Sequence, residues 1–307
     1  MRKEYYSPSH DGRTQIHAME WIPEGRVRGV LQIAHGMVEF IERYDGFASF
    51  MASHGFYVTG NDHLGHGRSV TEESDYGYFA RRDGFFCVLE DMRQLCADAR
   101  GKYPDLRCFL LGHSMGSFLA RAYMEKYGED LSGAIVMGTA WQPAPTLDLA
   151  IGLTAALQRI RGGHYRSPLI NGMALGSYNA AFEPGRTKND WLTRDEAIVD
   201  AYVANPLNQF VFTVNGYNSL FRAIRYSERR KNLARIPKDL PILVVSGGKD
   251  PVGNFGKGPR TVAEAFRTAG ITDVTLKLYP DDRHELLNEL DRDAVYQDLL
   301  TWLEARL

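Results

Sequence analysis

The sequence predicts a doubly wound α/β domain, in which helices cover both faces of a mostly parallel sheet. Three observations support this prediction. First, short apolar runs rich in β-branched residues end at Gly, Asp or Ser, as strands buried on both faces do. Second, segments with a helical period of apolar residues alternate with these runs. Third, the alternation is interrupted only once, which indicates a single insertion.

Six apolar runs are the predicted strands, and an N-terminal hairpin precedes them. The runs cover residues 29–36, 55–62, 107–114, 133–140, 241–250 and 273–282. Ahead of them, Asp11 and Gly12 stand between two extended stretches, and an Asp-Gly pair is a favoured turn between antiparallel strands. We therefore expect a hairpin at one edge of the sheet.

Helical segments join the predicted strands, and each carries one apolar face. The segment that starts near residue 84 carries on that face Phe85, Val88, Met92, Leu95 and Cys96. The C-terminal segment carries Val295, Leu299, Trp302 and Leu303. Such faces are expected to pack against the sheet.

The interruption lies between residues 141 and 230 and divides the chain into two units. This stretch is rich in aromatic residues and reads as helices and loops with no clear strand. We expect a core domain formed by residues 1–140 and 231–307, and a helical cap formed by residues 141–230. Within the cap, the run 147–160 is apolar nearly all round, so something has to cover one side of it. Ordinary cap packing, an acyl chain, a membrane surface and a second subunit all remain open.

Composition limits the kind of protein and its partners. The chain has 307 residues with 44% hydrophobic and 24% charged residues, a globular composition. Its formal net charge of -2 gives no basic field for nucleic acid, so no such partner is expected. Three cysteines without a C-x-x-C pair argue against a disulfide framework and favour a reducing, cytoplasmic location. No signal-like segment and no apolar run of about 18 residues is present, so a soluble protein is expected.

The stretch "FLLGHSMGS", residues 109–117, contains the pattern G-x-S-x-G around Ser114. A predicted strand precedes it and a helical segment follows it, which is the context of a nucleophile elbow. The glycines at 112 and 116 permit a turn that a Cβ would crowd. Ser114 is therefore the candidate nucleophile, and a plain structural turn is the alternative.

A serine needs a base, and His284 in "LYPDDRHELLNE" follows the last predicted strand. Asp250 in "SGGKDPVG" follows the strand before it and is the candidate for the carboxylate that orients the base. The order Ser114, Asp250, His284 is the order that this architecture requires. The charged residues nearer His284 in sequence are interpreted as solvated loop charges; they are Asp281, Asp282 and Glu285.

Charge that develops on the substrate oxygen needs preorganised donors. The backbone N–H of Met115, just after the nucleophile, is one candidate. The N–H of Met37, in the loop after His35 and Gly36, is the other, because Gly36 lets the backbone turn toward the site. His113 inside the elbow is interpreted as a packed, hydrogen-bonded residue rather than a second base.

The segment "NDHLGHGRS", residues 61–69, has the residue types of a metal site, but a zinc site needs three or four converging ligands and no further cluster of such residues is evident. It is interpreted as a glycine-rich loop held by hydrogen bonds of Asp62 and Arg68. No metal ion and no organic cofactor is therefore expected.

The residues resemble a known family. The pieces "HGMVEF…RY", "NDHLGHGRS", "GHSMGS", "SGGKDPVG" and "DRHELLNE" occur in order from residue 35 to 289. They resemble the α/β-hydrolase fold and, within it, the monoacylglycerol lipase and lysophospholipase group of serine aminopeptidase-like hydrolases. The resemblance implies that Ser114, Asp250 and His284 form a catalytic triad, that the amides of Met37 and Met115 form the oxyanion hole, and that residues 141 to about 230 form a cap.

Two segments depart from the pattern of these relatives: the loop of residues 37–40 and the residue after the elbow, Ser117. Met37 to Phe40 are bulkier than the small residues common there, which predicts a narrower acyl pocket. Ser117 stands where many relatives have glycine.

The predicted activity is hydrolysis of carboxylic esters with an apolar acyl group. Candidate substrate-binding residues are Gly36 and His113 near the nucleophile, and Trp141 and Phe182 in the cap. The expected partner is a small acyl ester, with transient membrane contact through the cap and the oligomeric state left open.

Alternative activities remain open on the same scaffold. An aminopeptidase or amidase needs a carboxylate near the cap to hold an ammonium, such as Glu183, Asp190 or Asp195. Hydrolysis of a C–C bond or a thioester, and a non-catalytic ligand-binding protein, are further alternatives.

Overall fold

The computed structural model describes residues 1–307 and contains one eight-stranded sheet. Its strands are β1 Arg2–Pro8, β2 Gln15–Trp21, β3 Gly29–Ala34, β4 Phe56–Asn61, β5 Cys108–His113, β6 Gly133–Met137, β7 Ile242–Gly247 and β8 Val274–Tyr279. Their spatial order is β1-β2-β4-β3-β5-β6-β7-β8. The pairs β1/β2 and β2/β4 are antiparallel, and every other pair is parallel. The predicted α/β class and all six predicted core strands are confirmed.

Ten α-helices accompany the sheet. They are α1 Asp45–Ser53, α2 Gly84–Lys102, α3 Met115–Tyr127, α4 Ala144–Arg161, α5 Pro168–Leu175, α6 Glu196–Ala204, α7 Val214–Ser227, α8 Arg230–Leu233, α9 Lys257–Thr268 and α10 Arg292–Glu304. The helices α2, α3 and α9 contribute to the hydrophobic core on one face of the sheet, and α1 and α10 to the core on the other. Along β3, Val30 belongs to the first core and Leu31 to the second, because successive strand side chains point to opposite faces.

The two edges of the sheet differ from its centre. At one edge β1 and β2 form the predicted hairpin, with Pro8 paired to Gln15. Its connection is longer than a two-residue turn, and Asp11 accepts backbone hydrogen bonds from Arg13 and Thr14. At the other edge, the expectation that β8 is buried on both faces is wrong, since its first five residues alternate between half-buried and exposed and only Tyr279 is buried. An edge strand covered on one face alternates in this way.

The chain between β6 and β7 contains α4 to α8 and no strand. Its helix α7 packs against α2 and α3 as well as against α4, so this part of the insertion also covers the core. In α4, which contains the apolar run, only Leu147 and Thr154 are buried. No helix of the protein combines the length and apolar character needed to cross a membrane.

The two ends of this insertion lie side by side and are tied together. The buried guanidinium of Arg121, on α3, donates to the carbonyls of Ala140 and Ser227, at distances of 3.0 and 3.1 Å. Glu228 accepts a 2.9 Å hydrogen bond from the backbone N–H of Gln142. The start and the end of the segment between β6 and β7 therefore lie next to each other.

Candidate active site

Ser114 lies on a strained turn between β5 and α3. Its backbone has φ 52° and ψ −118°, a region that residues with a Cβ rarely adopt. A Cβ on Gly112 would collide with the Gly116 carbonyl, and one on Gly116 with the Ala34 carbonyl. The local geometry is thus that of the nucleophile elbow predicted from the sequence, with the serine side chain only half buried and facing a cavity.

His284 and Asp250 lie together in loops at the carboxyl ends of β8 and β7. The His284 Nδ1 and Asp250 Oδ1 atoms are 3.0 Å apart, and both side chains are buried. The two atoms are not aligned as in a hydrogen bond, so His284 Nδ1 has no hydrogen-bond partner. Asp250 is fixed by the backbone N–H of Val252 at 2.9 Å and by the Ser246 hydroxyl at 3.3 Å.

Ser114 and His284 line the same cavity but are not hydrogen-bonded to each other. In ligand-free enzymes such bonds are often long or misaligned and tighten when substrate binds. Two aromatic rings flank the imidazole of His284: His113 at 4.8 Å and Trp191 at 5.1 Å between ring centroids. The sequence-predicted trio is therefore assembled around one cavity, with its final hydrogen bonds not yet formed.

His113 is fully engaged in hydrogen bonds, as its sequence interpretation expected. Its Nδ1 lies 3.0 Å from both Glu39 Oε1 and the Tyr44 hydroxyl, and its Nε2 lies 3.2 Å from the His284 carbonyl oxygen. Burial alone lowers the pKa of His113, but the hydrogen bond and charge of Glu39 outweigh it and the pKa is raised. A protonated ring donates to Glu39 and to the His284 carbonyl at once, which fixes the loop that carries His284.

A buried ion-pair network lies next to His113. The sequence analysis did not predict it. Arg43 donates to both carboxylate oxygens of Glu285, at 2.7 and 2.8 Å, and to Glu39 at 3.0 Å. Glu39 also accepts from the Gly36 backbone N–H and from the Tyr44 hydroxyl. Desolvation opposes ionisation of Glu285, yet Arg43 holds its pKa below the usual value.

The interpretation of Glu285 and Asp282 as solvated charges is therefore wrong. Glu285 is 4% exposed and Asp282 is 1% exposed, and only Asp281 lies at the surface. Asp282 pairs with Arg194 from the insertion. Burial and neighbouring acidic groups raise the pKa of Asp282 to about 7.

Arg194 draws three carboxylates together beside the His284 loop. It contacts Asp282, Glu289 at 2.9 Å and Asp291 at 2.6 Å. These three are the one group of His, Cys, Asp or Glu side chains close enough to share a metal ion. Because a guanidinium already lies among them, the cluster acts as an ion-pair link between the insertion and this loop.

The two residues predicted to supply the oxyanion donors lie close to the nucleophile. Met115 is the first residue of α3, so its N–H has no acceptor within the helix. Met37 follows Gly36. The backbone of Gly36 lies so close to Ser114 that a Cβ on residue 36 would be 3.0 Å from Ser114 Cβ. The next residue, Val38, has φ 56°, in the left-handed region. Both Met37 and Met115 line the cavity that contains Ser114.

That cavity has a volume of about 970 Å³ and is mainly apolar, with 24 hydrophobic residues among the 39 that line it. The core contributes Met37, Val38, Met115 and Phe118, and the insertion contributes Leu147, Leu153, Tyr178, Trp191, Phe210 and Phe221.

Three of the four candidate substrate-binding residues do not line this cavity. Trp141 lies 5.6 Å from the Arg121 guanidinium, and Phe182 lies 4.3 Å from that of Arg283. Their assignment to substrate binding is corrected, because both rings face arginines instead. Gly36 is adjacent to Ser114 but does not line the cavity, so its assignment is corrected as well, whereas His113 does line it.

The glycine-rich loop after β4 has the architecture that its sequence indicated. Asp62 accepts from the backbone N–H groups of Ile41 and Arg68, each at 2.8 Å, and contacts His17 Nδ1 at 2.8 Å. The histidines of this loop are buried, and desolvation lowers the pKa of His66 to about 3. Neutral rings of this kind support the loop rather than the chemistry.

The sheet order, the strained serine turn and the His–Asp contact define an α/β-hydrolase of the serine hydrolase class. A family model described as "Serine aminopeptidase, S33" matches residues 25–291. The chain belongs to this family, as its motifs indicated.

Several proteins similar to this chain are ester hydrolases by name. A "Monoacylglycerol lipase" of Mycolicibacterium smegmatis is 28% identical over 94% of this chain and 92% of its own length. A "Monoglyceride lipase" of Mus musculus is 27% identical over 94% of this chain and 86% of its own length. Among solved structures, a thermostable carboxyl esterase from Bacillus coagulans in complex with glycerol superposes with a TM-score of 0.93, at 28% identity over 99% of this chain and 98% of that one. The chain is accordingly an ester-hydrolysing enzyme, and that prediction is confirmed.

Proposed function

We propose that the enzyme cleaves esters between a long apolar acyl group and a small alcohol, of the monoacylglycerol type, through an acyl-enzyme on Ser114. The observation that carries the proposal is the cavity, which joins Ser114 and His284 to an extensive apolar wall. Its volume of about 970 Å³ lies at the upper end of the 300–1,000 Å³ typical of ligand pockets. A wall of this kind suits an acyl chain, because burying each CH₂ group contributes about 0.8 kcal/mol.

In the proposed mechanism, Ser114 Oγ attacks the ester carbonyl carbon while His284 Nε2 takes its proton. Asp250 orients the imidazole through Nδ1 and stabilises its charged form. The N–H groups of Met37 and Met115 stabilise the oxyanion of the tetrahedral intermediate. His284 then protonates the leaving alcohol, and afterwards activates the water that releases the fatty acid. No step requires a metal ion or an organic cofactor.

The glycerol part of the proposed substrate rests on the relatives and on the cavity wall. Two relatives bear the names of monoacylglycerol and monoglyceride lipases, and the structurally similar esterase was solved with glycerol. Polar residues interrupt the apolar wall on the side of the insertion; they are Gln142, Asn171, Asn179, Glu183, Lys188 and Asn189. Side chains of this kind are suited to the hydroxyl groups of a small alcohol.

The aminopeptidase alternative is not favoured by the arrangement of carboxylates in the insertion. Asp190 accepts from the backbone of Arg186 and Thr187, and Asp195 caps α6 and pairs with Arg292. Of these three insertion residues only Glu183 lines the cavity, and its oxygens accept from neighbouring groups of its own loop. The core carboxylates at the cavity, Glu39 and Glu285, are paired with Arg43. An ammonium group of a substrate therefore has no free buried carboxylate to pair with.

We further propose that residues 141–230 act as a cap over a core of residues 1–140 and 231–307. The exposed apolar side chains Leu149, Met173 and Val211 lie at the cavity, at 70%, 65% and 38% exposure. This ring is the proposed point of transient contact with a lipid surface, from which an ester substrate enters. A cytoplasmic location stays a prediction that fits three unpaired cysteines.

The experiment that tests the proposal combines labelling with an ester panel. A fluorophosphonate probe is expected to label the wild-type protein at Ser114, as established by peptide mapping, and to leave Ser114→Ala unlabelled. Hydrolysis of p-nitrophenyl esters from C2 to C16 and of a monoacylglycerol is expected to increase toward long chains and to disappear in Ser114→Ala. An unlabelled wild-type protein with no activity on any ester would indicate the ligand-binding alternative. Aminoacyl naphthylamides in the same panel report any amidase activity.

A further inference from the structure

Val38 has a backbone conformation that its side chain disfavours. Its φ of 56° lies in the left-handed region, where a β-branched residue is an outlier. The residue is buried, and it directly follows Met37, the proposed donor to the oxyanion. The orientation of the Met37–Val38 segment therefore depends on whatever holds Val38 in this conformation.

Two buried side chains of the insertion hold it. Asn208, in the turn Pro206–Asn208, donates from Nδ2 to the Val38 carbonyl at 2.7 Å. Tyr202, on α6, donates its hydroxyl to the same oxygen at 3.1 Å. Asn208 is 4% exposed and Tyr202 is 9% exposed, so water does not readily replace either donor. A carbonyl with two buried donors is fixed in direction.

The other side of the same loop is held by the core. The Gly36 N–H donates to Glu39, and Glu39 is paired with Arg43. The Arg43 guanidinium also lies over the Tyr202 ring, 4.8 Å from its centroid. The Met37 amide thus lies between one anchor from the core and one from the insertion.

We propose that Asn208 and Tyr202 are positioning residues for the oxyanion hole, which they complete by holding Val38 in its left-handed conformation. The inference rests on the proposed role of the Met37 amide. Its consequence is that the donor is correctly aimed only when the insertion is seated on the loop, so the position of the cap controls the rate of the chemical step as well as access. Without the two hydrogen bonds, Val38 relaxes toward ordinary backbone angles and turns the Met37 N–H away.

The proposal predicts a loss in kcat that depends on the residue at position 38. Holding a residue in such a backbone region shifts a local equilibrium by about 5- to 150-fold, so we expect Asn208→Leu to lower kcat about 10-fold and Tyr202→Phe somewhat less. Glycine adopts positive φ without strain. In a Val38→Gly background, Asn208→Leu is therefore expected to lower kcat only about twofold, relative to Val38→Gly alone.

The decisive quantity is a ratio of two losses in kcat on a soluble short-chain ester. One is the loss that Asn208→Leu causes in the wild-type background, and the other is the loss that it causes in the Val38→Gly background. The matched control is Asn171→Leu, since Asn171 lines the same cavity but accepts from Tyr217 and does not touch the loop. Its effect is expected to be equal in the wild-type and Val38→Gly backgrounds. Thermal unfolding of each variant separates folding defects, because a loss of stability alone does not depend on position 38 in this way.

A second measurement distinguishes the failure of this inference from the failure of the proposed function. Affinity for a trifluoromethyl ketone, which forms a tetrahedral adduct with the serine, should fall in parallel with kcat in Asn208→Leu. Equal Asn208→Leu losses in both backgrounds, with Ser114 still labelled by the fluorophosphonate, overturn the positioning role alone. A wild-type protein that is neither labelled nor active overturns both proposals.

Discussion

The helices α3 and α4 show how differently the two parts of this molecule are built. In α3, directly after Ser114, eleven of thirteen residues are buried, whereas in α4, at the start of the insertion, only two of eighteen are. A buried helix at the end of a parallel strand holds its first residue within narrow limits. In a mostly exposed helix, substitution of the exposed residues changes the free energy of unfolding little. From this difference in burial we expect the core to fix the chemistry and the insertion to determine which substrate reaches it.

The largest expected effect tests the core. Asp250→Asn should leave the fold intact but lower kcat about 1,000- to 10,000-fold, because an amide stabilises neither the correct tautomer nor the charged form of His284. The measurement is steady-state hydrolysis of a short p-nitrophenyl ester. Asp281→Asn is the matched control, since Asp281 is exposed in the loop before His284. A wild-type kcat in Asp250→Asn would assign the orienting role to another group.

The next effect tests the insertion as the determinant of acyl length. Leu153→Trp, on the cavity side of α4, should lower kcat/KM for a C16 ester about 10- to 100-fold by excluding several methylene groups. Activity on a C4 ester should change less than about threefold, because a short chain does not reach that wall. Leu169→Trp is the control, since Leu169 is 63% exposed and does not line the cavity. Equal losses on C4 and C16 esters would refute this division of labour.

A smaller effect concerns the apolar ring at the cavity. Replacing Leu149 and Met173 together by Ser should lower hydrolysis of a monoacylglycerol in lipid vesicles about three- to tenfold, since less apolar surface enters the lipid boundary. Hydrolysis of a dissolved C4 ester should stay the same. Ile160→Ser, at the far end of α4 and 76% exposed, serves as the control. Binding to vesicles that does not change in the double variant would contradict surface contact at this ring.

The smallest effect concerns stability near the place where the insertion joins the core. Glu125, on α3, is 2% exposed, and neither of its carboxylate oxygens has a partner. Burial raises its pKa to about 9 despite the nearby charge of Arg121. Above its unfolded value of about 4.3, the unfolded state has lost a proton that the folded state keeps, so stability falls as pH rises.

Glu125→Gln removes this dependence. The amide is neutral in both states, so the free-energy cost of keeping a proton on residue 125 in the folded protein, at a pH above the unfolded value of about 4.3, disappears. A stability change of 1 kcal/mol shifts Tm by about 2–4 °C in a chain of this size. We therefore expect Glu125→Gln to raise Tm by a few degrees at pH 8 and to change it little at pH 5. Calorimetric scans at the two pH values measure it. A Tm increase of the same size at pH 5 would indicate a packing effect.

The core strands and the proximity of the three proposed catalytic residues could be predicted because local rules determine them. Parallel strands bring their carboxyl ends to one edge, so Ser114, Asp250 and His284 had to meet there once the strands were recognised. The glycines around Ser114 needed no information from elsewhere in the chain, since they are determined by the turn itself.

The surrounding ion pairs could not be predicted in the same way. Glu285 and Arg43 are 242 residues apart, and no sequence period links them. One signal was present: Glu285 precedes two leucines and follows His284, a setting in which a solvated carboxylate is unusual. The side chains of the insertion were harder to place, because this segment has no strands whose alternation predicts which aromatic residues face the cavity. Trp141 and Phe182 were therefore wrongly assigned to the cavity wall.

The joint between core and insertion has a further consequence for how such enzymes diversify. Arg121 donates hydrogen bonds to the carbonyls of Ala140 and Ser227, and Glu228 accepts one from the Gln142 N–H. The two places where an exchanged segment would begin and end therefore already lie next to each other. We expect that a segment whose two ends are neighbours can replace residues 143–226 while Ser114, Asp250 and His284 keep their positions. Such an exchange would replace the part of the cavity wall that the insertion contributes and leave the part from the core unchanged. Substrate specificity would then change by recombination at two sites in the chain, without substitutions around Ser114.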